Sequence, residues 1–308
     1  MKYGVVIVTY NRLELLKECL QCCLEQTHPF SSVIVVDNHS DDGTGEYLDE
    51  VQKNREMVTV KHLNENTGGS GGFKAALALA DTMALDWVLI IDDDAMIEKN
   101  YIEVCDRYIQ KHPDIAACSG TVYTDGAIQL NHRRKIINSI LHLEGNVPVT
   151  GYSHTAFRYD LATFCGLMIR GDVLHAIGLP KSEYFIWYDD TEYSMRLIPY
   201  GGIININAAK LNHKTVLPSG EQAGFFMRMN WRTYYGHRNR LDAVKTHCSY
   251  ATGMVIYAEF AIFISCGILM SAIPKYHKQG VFITKMLWDA LRDGKAGRLG
   301  KNKKYLPN

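Results

Sequence analysis

The sequence lacks an excess of either charge, because 33 lysine and arginine residues balance 33 aspartate and glutamate residues. This balance gives no sign of the basic surface on which nucleic-acid binding depends. The eight cysteines also lack the paired CxxC arrangement of a zinc ribbon. Cys19, Cys22 and Cys23 fall on one predicted helix, where buried apolar side chains are favoured over metal ligands. We therefore expect no nucleic-acid partner and a reducing cytoplasmic environment.

The N-terminus lacks the basic region and apolar core of a secretory signal, and the sequence contains no internal repeat or low-complexity tract. What the sequence does contain is a large apolar fraction, with 47% hydrophobic residues in a chain of 308. That is enough to bury the core of one large domain or two smaller ones.

Apolar strands alternate with helical segments in the first third of the chain. Between the first two strands, leucine recurs at the helical spacing 13, 16, 20 and 24. This alternation predicts an α/β fold with a mostly parallel sheet and right-handed crossovers. From about residue 221 onward the pattern turns helical. The predicted strands are 4–8, 33–36, 57–62 and 87–91, followed by less regular ones at 115–118, 164–169 and 202–206.

Three adjacent carboxylates, Asp92, Asp93 and Asp94, follow the fourth strand. They repel one another and need a counter-charge, and hard cations such as Mg²⁺ or Mn²⁺ take oxygen ligands. Such an ion usually holds a phosphorylated substrate as well. In open α/β sheets, ligands bind at the carboxyl ends of strands. The alternative is a solvated acidic turn that caps the helix beginning near Glu98.

Polar side chains also follow the first two strands. Thr9, Tyr10 and Arg12 can contact a base or a phosphate at the end of the first strand. Asp37 and Asn38 hold the corresponding place after the second strand, where they can hydrogen-bond a pyrimidine edge or a ribose hydroxyl. The alternatives are an N-cap for the next helix and Asx-turn hydrogen bonds.

Four glycines surround one serine at 68–72, after the third strand. Glycine lets the backbone approach a ligand closely, and the helix that follows offers a positive N-terminus. The segment is not a Walker A loop, since no Gly-Lys-Ser/Thr follows, and the dinucleotide fingerprint belongs after the first strand. We expect a ligand-contacting loop with a helix from Phe73 to Ala84; a flexible linker is the alternative.

A second acidic cluster, Asp189 and Asp190, lies directly after Trp187-Tyr188. Group transfer to a hydroxyl needs a carboxylate that accepts the hydroxyl proton, and Asp190 is our candidate. His213 follows a later apolar strand, and imidazole can complete a Mn²⁺ shell that is otherwise made of carboxylates. The alternatives are acidic capping of a helix and a structural histidine.

The segment 234–240 combines two tyrosines and a histidine with Arg238 and Arg240. Arginine guanidinium groups match phosphate oxygens, which favours a phosphate-binding role. The alternative is a solvated helix face with an aromatic anchor.

Residues 254–273 are mostly apolar and approach the length of a transmembrane span. Glu259 near the middle makes spanning costly unless it is paired. Lysine and arginine residues follow from Lys275 to Lys304. An apolar segment with a basic tail suits the surface of an anionic bilayer, so we favour peripheral membrane association. A helix packed on the catalytic domain, with a solvated tail, is the alternative.

These motifs, in this order, resemble family 2 glycosyltransferases of the GT-A fold, over roughly residues 4 to 240. Four details resemble the bacterial galactofuranosyltransferases of that family. They are the segment 68–73, the full triplet 92–94, Trp187 with the acidic pair, and His213 followed by 235–240. Rhamnosyltransferases share the turn 36–40 and an ending similar to 293–300, so a rhamnose donor remains open.

The resemblance implies a role for each candidate residue. Thr9, Tyr10, Arg12, Asp37 and Asn38 would hold the nucleoside. Gly68, Gly69, Ser70, Gly71, Gly72 and Phe73 would lie against the donor sugar and diphosphate, with Trp187 and Asp189 also in the donor site. Asp92 and Asp94 would engage the metal or the donor, Asp93 the ribose or the metal, and His213 the metal. Many members carry two aspartates at 37–38, so which of these two residues contacts the base stays open.

The resemblance also implies the domain organisation and the function. A GT-A domain would span 1–220, with a nucleotide-sugar-binding half at 1–105 and an acceptor half at 106–220, and the helical region 221–308 would associate with the membrane. We expect an inverting hexosyltransferase that uses UDP-galactofuranose and Mn²⁺ or Mg²⁺, with Asp190 as base. Its acceptor would be a cell-surface glycan or a lipid-linked oligosaccharide at the cytoplasmic membrane face, and an oligomer is compatible with the sequence.

Two other classes of protein were weighed. A nucleotidyltransferase usually has a basic glycine-rich loop after the first strand, where this chain has residues 9–12. A non-enzymatic carbohydrate-binding module would not need a metal-binding triplet together with a remote acidic pair. Both are less consistent with the motif set than a glycosyltransferase.

Overall fold

The computed structural model describes residues 1–214 and 224–306. Its first part alternates strands and helices as the sequence predicts, because each central strand is a continuous apolar run that is buried on both faces. The elements are β1 (Tyr3–Thr9), α1 (Leu13–Leu24), β2 (Ser32–Asp37), α2 (Thr44–Asn54), β3 (Val58–His62), α3 (Gly68–Asp81) and β4 (Trp87–Asp92).

The second part is richer in short strands. It comprises β5 (Ala95–Ile97), α4 (Tyr101–Lys111), β6 (Ala117–Thr124), β7 (Ala127–Ile128), β8 (Arg133–Asn138), β9 (Leu143–Asn146), β10 (Ala156–Tyr159), β11 (Leu161–Ala162), β12 (Leu167–Arg170), α5 (Gly171–Ile177), α6 (Asp189–Leu197) and β13 (Ile203–His213). Beyond residue 223, the chain forms α7 (Trp231–His247), α8 (Tyr250–Ser271) and α9 (His277–Lys295).

The main sheet has the strand order β10-β13-β6-β12-β4-β1-β2-β3. β4, β1, β2 and β3 are parallel neighbours, and β13 is parallel to β6. β12 lies antiparallel between β4 and β6, and β10 is antiparallel to β13. One apolar cluster fills each face of this sheet, beneath α1 and α4 on one side and α3 and α5 on the other. The prediction of a mostly parallel sheet flanked by helices is confirmed.

Several predicted boundaries are wrong: the strand expected at 202–206 runs from Ile203 to His213, and the one expected at 164–169 runs from Leu167 to Arg170. Two further cases have a clear physical reason. The helix expected from Phe73 begins at Gly68, because three of the four glycines pack closely against Phe185, Thr67 and Val8 and the run forms the first turn of α3. The strand expected at 115–118 runs from Ala117 to Thr124. Its continuation is polar, but Ser119 and Gly120 are buried and hydrogen-bonded to side chains of other elements, which hid the strand from a pattern of apolar residues.

The helices α7, α8 and α9 pack together around a third apolar cluster. α8 is long and apolar enough to cross a membrane by length and composition, with a mean hydropathy of 2.0, and 22% of that stretch is buried. Its Glu259 pairs with Arg240 of α7 across the helix interface. The proposed domain boundary at 220/221 lies outside the described residues, so the division of the chain remains a prediction.

Candidate active site

The site lies where several strand ends meet at one edge of the main sheet. β4 ends at Asp92, and the antiparallel strand β12 begins with Leu167 opposite Ile90. Two residues before Leu167, Cys165 brings its sulfur close to the Asp92 carboxylate. β13 ends at His213, where it pairs with β5 directly after the triplet. Asp92, Cys165 and His213 thus offer ligand atoms that all lie within 4.8 Å of one another.

The second and third aspartates are anchored by residues that follow β1. Thr9 Oγ1 donates to Asp93 Oδ2 at 2.8 Å. The Arg12 guanidinium donates to Asp93 Oδ1 at 3.2 Å and to Asp94 Oδ2 at 2.9 Å. Burial raises the pKa of Asp93 to about 6 even though Arg12 opposes the shift. Arg12 therefore offsets part of the repulsion within the triplet, and its half-exposed side chain also faces the cavity.

Two ligand atoms at the triplet have no hydrogen-bond partner among the described residues. Asp94 Oδ1 and His213 Nε2 lie 3.0 Å apart, the distance of an ion pair, and both Asp94 Oδ1 and His213 Nδ1 are buried. Burial alone would raise the pKa of Asp94, but adjacent His213 and Arg12 hold it below its ordinary value. Buried polar atoms are normally satisfied, so these orphaned atoms beside Asp92 fit a bound cation.

The two residues at the end of β2 have different surroundings. Asn38 Nδ2 donates to Gly68 O at 3.0 Å, and its side chain lines the central cavity. Asp37 is 3% exposed and faces the other way, where it accepts from Ser40 N at 2.9 Å and contacts His62 Nδ1 at 2.9 Å. The Asx-turn interpretation therefore describes Asp37, and Asn38 is the member of the pair that lines the cavity.

The glycines of α3 serve packing as much as ligand approach. Gly68 has a φ of 75°, and a Cβ there would lie 2.0 Å from the carbonyl oxygen of Phe185. A Cβ on Gly71 or Gly72 would meet side-chain atoms at 2.3 or 2.4 Å. At Gly69, by contrast, a Cβ would meet no atom within 4 Å, and this glycine lines the cavity. Close packing thus explains most of the glycines in this run.

The acidic pair follows a strained loop. Phe185, Trp187 and Tyr188 have φ values of 66°, 64° and 72°, which non-glycine residues rarely adopt. Such strain persists only where surrounding contacts hold it, and it clusters at functional sites. α6 begins immediately afterwards, so Asp189 and Asp190 occupy its first turn, where the helix dipole favours negative charge.

Asp190 lies close to the hairpin formed by β8 and β9. Its Oδ1 accepts from Thr191 N at 2.6 Å and from Thr191 Oγ1 at 3.1 Å. Arg134 of β8 donates to Thr191 Oγ1 at 2.7 Å and pairs with Glu144 of β9. Burial raises the pKa of Asp190, and the positive charge of Arg134 opposes that shift. Burial also raises the pKa of Asp189, and the adjacent charge of Asp190 raises it further.

Neither interpretation of the segment 234–240 describes what the structure shows. Arg238 is 1% exposed, and its guanidinium donates to backbone carbonyls at 183, 184 and 300. Asn239 Nδ2 lies within hydrogen-bond distance of the carbonyls of Tyr184, Ile186 and Trp187. Arg240 pairs with Glu259. The phosphate-binding prediction for the two arginines is wrong, because both guanidinium groups bind groups of the protein itself.

These elements enclose a cavity of about 730 Å³. The structure brings most of the predicted donor and catalytic residues to its wall. Those that line it are Thr9, Tyr10, Arg12, Asn38, Gly68, Gly69, Phe73, Asp92, Asp93, Trp187, Asp189 and Asp190. Those that lie outside its lining are Asp37, Ser70, Gly71, Gly72, Asp94 and His213. The last two lie behind Asp92, and Ser70 is buried in α3.

Some residues of the cavity wall were missed by the sequence analysis. His132 lies edge-on to His213 with ring centroids 5.2 Å apart, and burial together with Arg133 lowers its pKa to about 3. Cys165 lies close to Asp92. Neither belongs to an acidic or glycine-rich motif, so only the pairing of distant strands reveals them.

Solved structures of similar architecture include two glycosyltransferases that were crystallised with nucleotide ligands. One is GalNAc-T7 with UDP, GalNAc and Mn²⁺, at a TM-score of 0.64 and 13% identity, covering 96% of this chain and 57% of that chain. The other is S. aureus TarS 1–349 in complex with UDP-GlcNAc, at a TM-score of 0.61 and 16% identity, covering 97% and 88%. The likeness confirms the GT-A fold.

The family model for glycosyl transferase family 2 matches residues 4–171, more than half of the chain. The chain belongs to glycosyl transferase family 2. Relatives of this family 2 glycosyltransferase include galactofuranosyltransferase GlfT1 of Mycolicibacterium smegmatis, 25% identical over 64% of this chain and 65% of the relative. They also include dTDP-rhamnosyl transferase RfbF of Shigella flexneri, 26% identical over 65% and 64%. The matched region thus spans just under two thirds of these relatives.

Proposed function

We propose that this family 2 enzyme transfers galactofuranose from UDP-galactofuranose to a hydroxyl of a cell-surface glycan or a lipid-linked acceptor, with inversion at the anomeric carbon. The observation that carries the proposal is the cavity, in which Asp92 and Asp93 at a strand end share a wall with Asp189 and Asp190 at a helix start. A donor diphosphate at the first pair would leave its sugar near the second. The galactofuranosyltransferase relatives supply the choice of sugar.

Donor binding would use the groups that follow β1, β2 and β3. Asn38, whose amide is fixed by hydrogen bonds with Gly68 and Thr67, would lie in contact with the base. Gly69 lets the donor approach the N-terminus of α3, where partial positive charge favours phosphate oxygens. Trp187, whose side chain is half exposed in the cavity wall, would cover the sugar ring.

Asp92, Asp94 and His213 would hold Mn²⁺ or Mg²⁺, since Asp94 Oδ1 and His213 Nδ1 are unpartnered among the described residues and Asp92 lies close to His213. When bound, the ion supplies positive charge that stabilises the departing diphosphate. Arg12, which is already paired with Asp93 and Asp94, keeps the triplet in place in the absence of the donor. The chain's own part is to fix these groups on the rigid ends of β1, β4 and β13.

Asp190 would act as the general base. Thr191 holds one of its carboxylate oxygens, and burial raises its pKa toward that of a better proton acceptor, while the positive charge of Arg134 opposes that rise. The acceptor hydroxyl would lose its proton to Asp190 as its oxygen forms a bond to the anomeric carbon. The bond from that carbon to the UDP oxygen breaks on the opposite face, which inverts the configuration.

The helical region would bring the enzyme to a membrane-bound acceptor at the inner face of the cell membrane. Met254, Ile262 and Leu269 project from one face of α8 and are 50%, 59% and 69% exposed. The charge of Glu259 is neutralised by Arg240 on the opposite, packed side. Lys275, Lys278 and Lys285 are not buried, so the apolar face borders positive charge.

A second donor, dTDP-rhamnose, is supported by the similarity to dTDP-rhamnosyl transferase RfbF of Shigella flexneri. The fold and the acidic groups would serve that donor equally well. The two proposals differ only in the nucleoside and the sugar ring that the cavity accepts.

The deciding experiment is a donor panel. Nucleotide release would be measured from UDP-galactofuranose, UDP-galactopyranose, UDP-glucose and dTDP-rhamnose, each with Mn²⁺ and with EDTA. Metal-dependent release from UDP-galactofuranose alone supports the proposal, and release from dTDP-rhamnose alone replaces the donor. If no acceptor-free turnover occurs, calorimetric binding of each donor decides between them.

The matched variant is Asp190→Asn, which keeps the shape of the side chain but removes the basic oxygen. We expect it to bind the donor as the wild type does and to lose transfer. Near-full transfer by this variant would show that Asp190 is not the base.

A further inference from the structure

Cys165 lies beside the proposed metal ligands although no acidic motif contains it. It lies two residues before Leu167, the first residue of β12, and its sulfur lies within 4.8 Å of ligand atoms of Asp92 and His213. The residue is 1% exposed, yet it forms part of the cavity wall. A thiol is therefore held where a cation at Asp92 and His213 would meet it.

A second observation points to a cation at this position. Asp94 is 5% exposed and its Oδ1 has no hydrogen-bond partner among the described residues, although it lies 3.0 Å from His213 Nε2. His213 Nδ1 is also buried without such a partner. His213 Nδ1 is therefore available to an ion, while its Nε2 lies at ion-pair distance from Asp94 Oδ1.

The donor atoms at this place belong to two chemical classes. The carboxylates of Asp92 and Asp94 suit hard ions such as Mg²⁺ and Mn²⁺, whereas thiolate sulfur selects softer ions such as Zn²⁺. Imidazole serves both classes. The same site can therefore present an oxygen-rich set to one ion and a sulfur-containing set to another.

We propose that Cys165 is an ion-selective ligand, which binds Zn²⁺ or Co²⁺ together with Asp92 and His213 but is not bonded to Mn²⁺ or Mg²⁺. The proposal rests on the proposed metal site of the glycosyltransferase and adds a residue to it. When Zn²⁺ or Co²⁺ binds, a sulfur–metal bond forms and the thiol proton passes to solvent, without any change of oxidation state.

The expected consequence is inhibition by zinc. Zn²⁺ favours four ligands in protein sites, and three from the chain would leave one position for a donor diphosphate. Mn²⁺ accepts more oxygen ligands and keeps positions open for the diphosphate. Zinc would thus bind tightly in a form that holds the donor poorly.

The test uses cobalt as a spectroscopic probe, with the full chain and no donor present. Titration with Co²⁺ should produce a near-ultraviolet thiolate-to-cobalt charge-transfer band, and excess Mn²⁺ should suppress it by competition. The band should be absent in Cys165→Ser and in His213→Gln. Cys248→Ser is the matched control, because Cys248 Sγ also lies beside a histidine nitrogen, 3.9 Å from His142 Nδ1, and this variant should keep the band.

Zn²⁺ inhibition supplies the second measurement. Cys165→Ser should need at least about tenfold more Zn²⁺ for half-inhibition, the lower end of losses when a metal-site group is removed. Its affinity for Mn²⁺, followed by calorimetry, should stay within about threefold of the wild type, since oxygen-preferring ions do not rely on sulfur. A Cys165→Ala variant excludes an effect of the serine hydroxyl.

The outcomes separate this proposal from the proposed function. Cobalt that binds in competition with Mn²⁺ but without a charge-transfer band would overturn the role of Cys165 and leave the metal site standing. A band that persists in Cys165→Ser would also overturn it. Absence of any cobalt or manganese binding would overturn the metal site itself.

Discussion

The side chain of Asn239 is expected to hold the loop 184–187, which precedes Asp189 and Asp190, in its observed conformation. It is fully buried, and its Nδ2 lies 2.7 to 3.2 Å from three backbone carbonyls of residues 184–187. Asn239→Ala leaves at least two of these carbonyls without a donor, at about 1 to 3 kcal/mol each. We therefore expect the free energy of unfolding to fall by about 2 to 6 kcal/mol, against the about 5 to 15 kcal/mol by which folded proteins are typically stable.

Activity should fall by more than the loss of folded protein explains. The three residues with positive φ values at 185–188 are strained by about 1 kcal/mol or more each, so the loop can relax when the hydrogen bonds from Asn239 are lost. Asp189 and Asp190 would then move, and displacement by about 1 Å lowers catalytic rates by on the order of 100-fold. Urea unfolding followed by tryptophan fluorescence measures the first quantity, and nucleotide release at saturating donor measures the second.

The control is Asn207→Ala. Asn207 Nδ2 also donates to two backbone carbonyls, at 3.0 and 2.6 Å, but it lies outside the cavity wall. This variant should lose stability with turnover near that of the wild type. If the turnover of Asn239→Ala instead stayed within about threefold of the wild type, the argument that the Asn239 hydrogen bonds position Asp189 and Asp190 would be refuted.

Three further predictions concern packing, charge and the membrane face. Gly68→Ala should lower the free energy of unfolding, measured in urea, by about 2 kcal/mol or more, because Gly68 has a positive φ and lies against Phe185. Gly69→Ala should change the free energy of unfolding by less than about 1 kcal/mol, and equal effects of the two substitutions would contradict the packing argument. Glu192→Gln should lower the free energy of unfolding by about 3 kcal/mol at neutral pH, because Arg196 and His247 lose a buried partner. The pKa of Glu192 is held below its ordinary 4.5. The stability difference between wild type and variant is therefore present above pH 4.5 and shrinks as acid protonates Glu192 in the wild type, and a difference that persists in strong acid would contradict this reasoning. The double variant Met254→Ser/Leu269→Ser should weaken binding to anionic vesicles at least about tenfold in co-sedimentation, with helix content unchanged, and unaltered binding would exclude this face.

The strands β1, β2 and β4 could be predicted because their sequences are continuous apolar runs with polar residues at the carboxyl ends. Asp92 and Asp190 could be singled out for a related reason, since clustered carboxylates are conspicuous in any sequence. Cys165 and His132 could not, because their place depends on which strand lies next to which. The antiparallel insertion of β12 between β4 and β6 is a tertiary fact that no local pattern contains.

Two misjudged segments have a common physical cause. The glycine run was expected to be a loop, and Arg238 was expected to bind phosphate. In both cases residues that are typical of ligand contact are used to pack backbone against backbone: Gly68 against Phe185, and Arg238 against the carbonyls at 183 and 184. Local chemistry does not reveal whether a donor group will meet a ligand or another part of the chain.

The hydrogen bonds from Asn239 of α7 to the loop at 184–187 also set the smallest segment that can be exchanged between relatives in a chimera. A fragment that ended before Trp231 would retain the triplet and the acidic pair, yet the carbonyls of Tyr184, Ile186 and Trp187 would lose Asn239. A chimera whose junction lies between residues 187 and 231 would combine the loop of one parent with the α7 of another. Swaps intended to change the donor should therefore transfer the loop and α7 together, as one cassette.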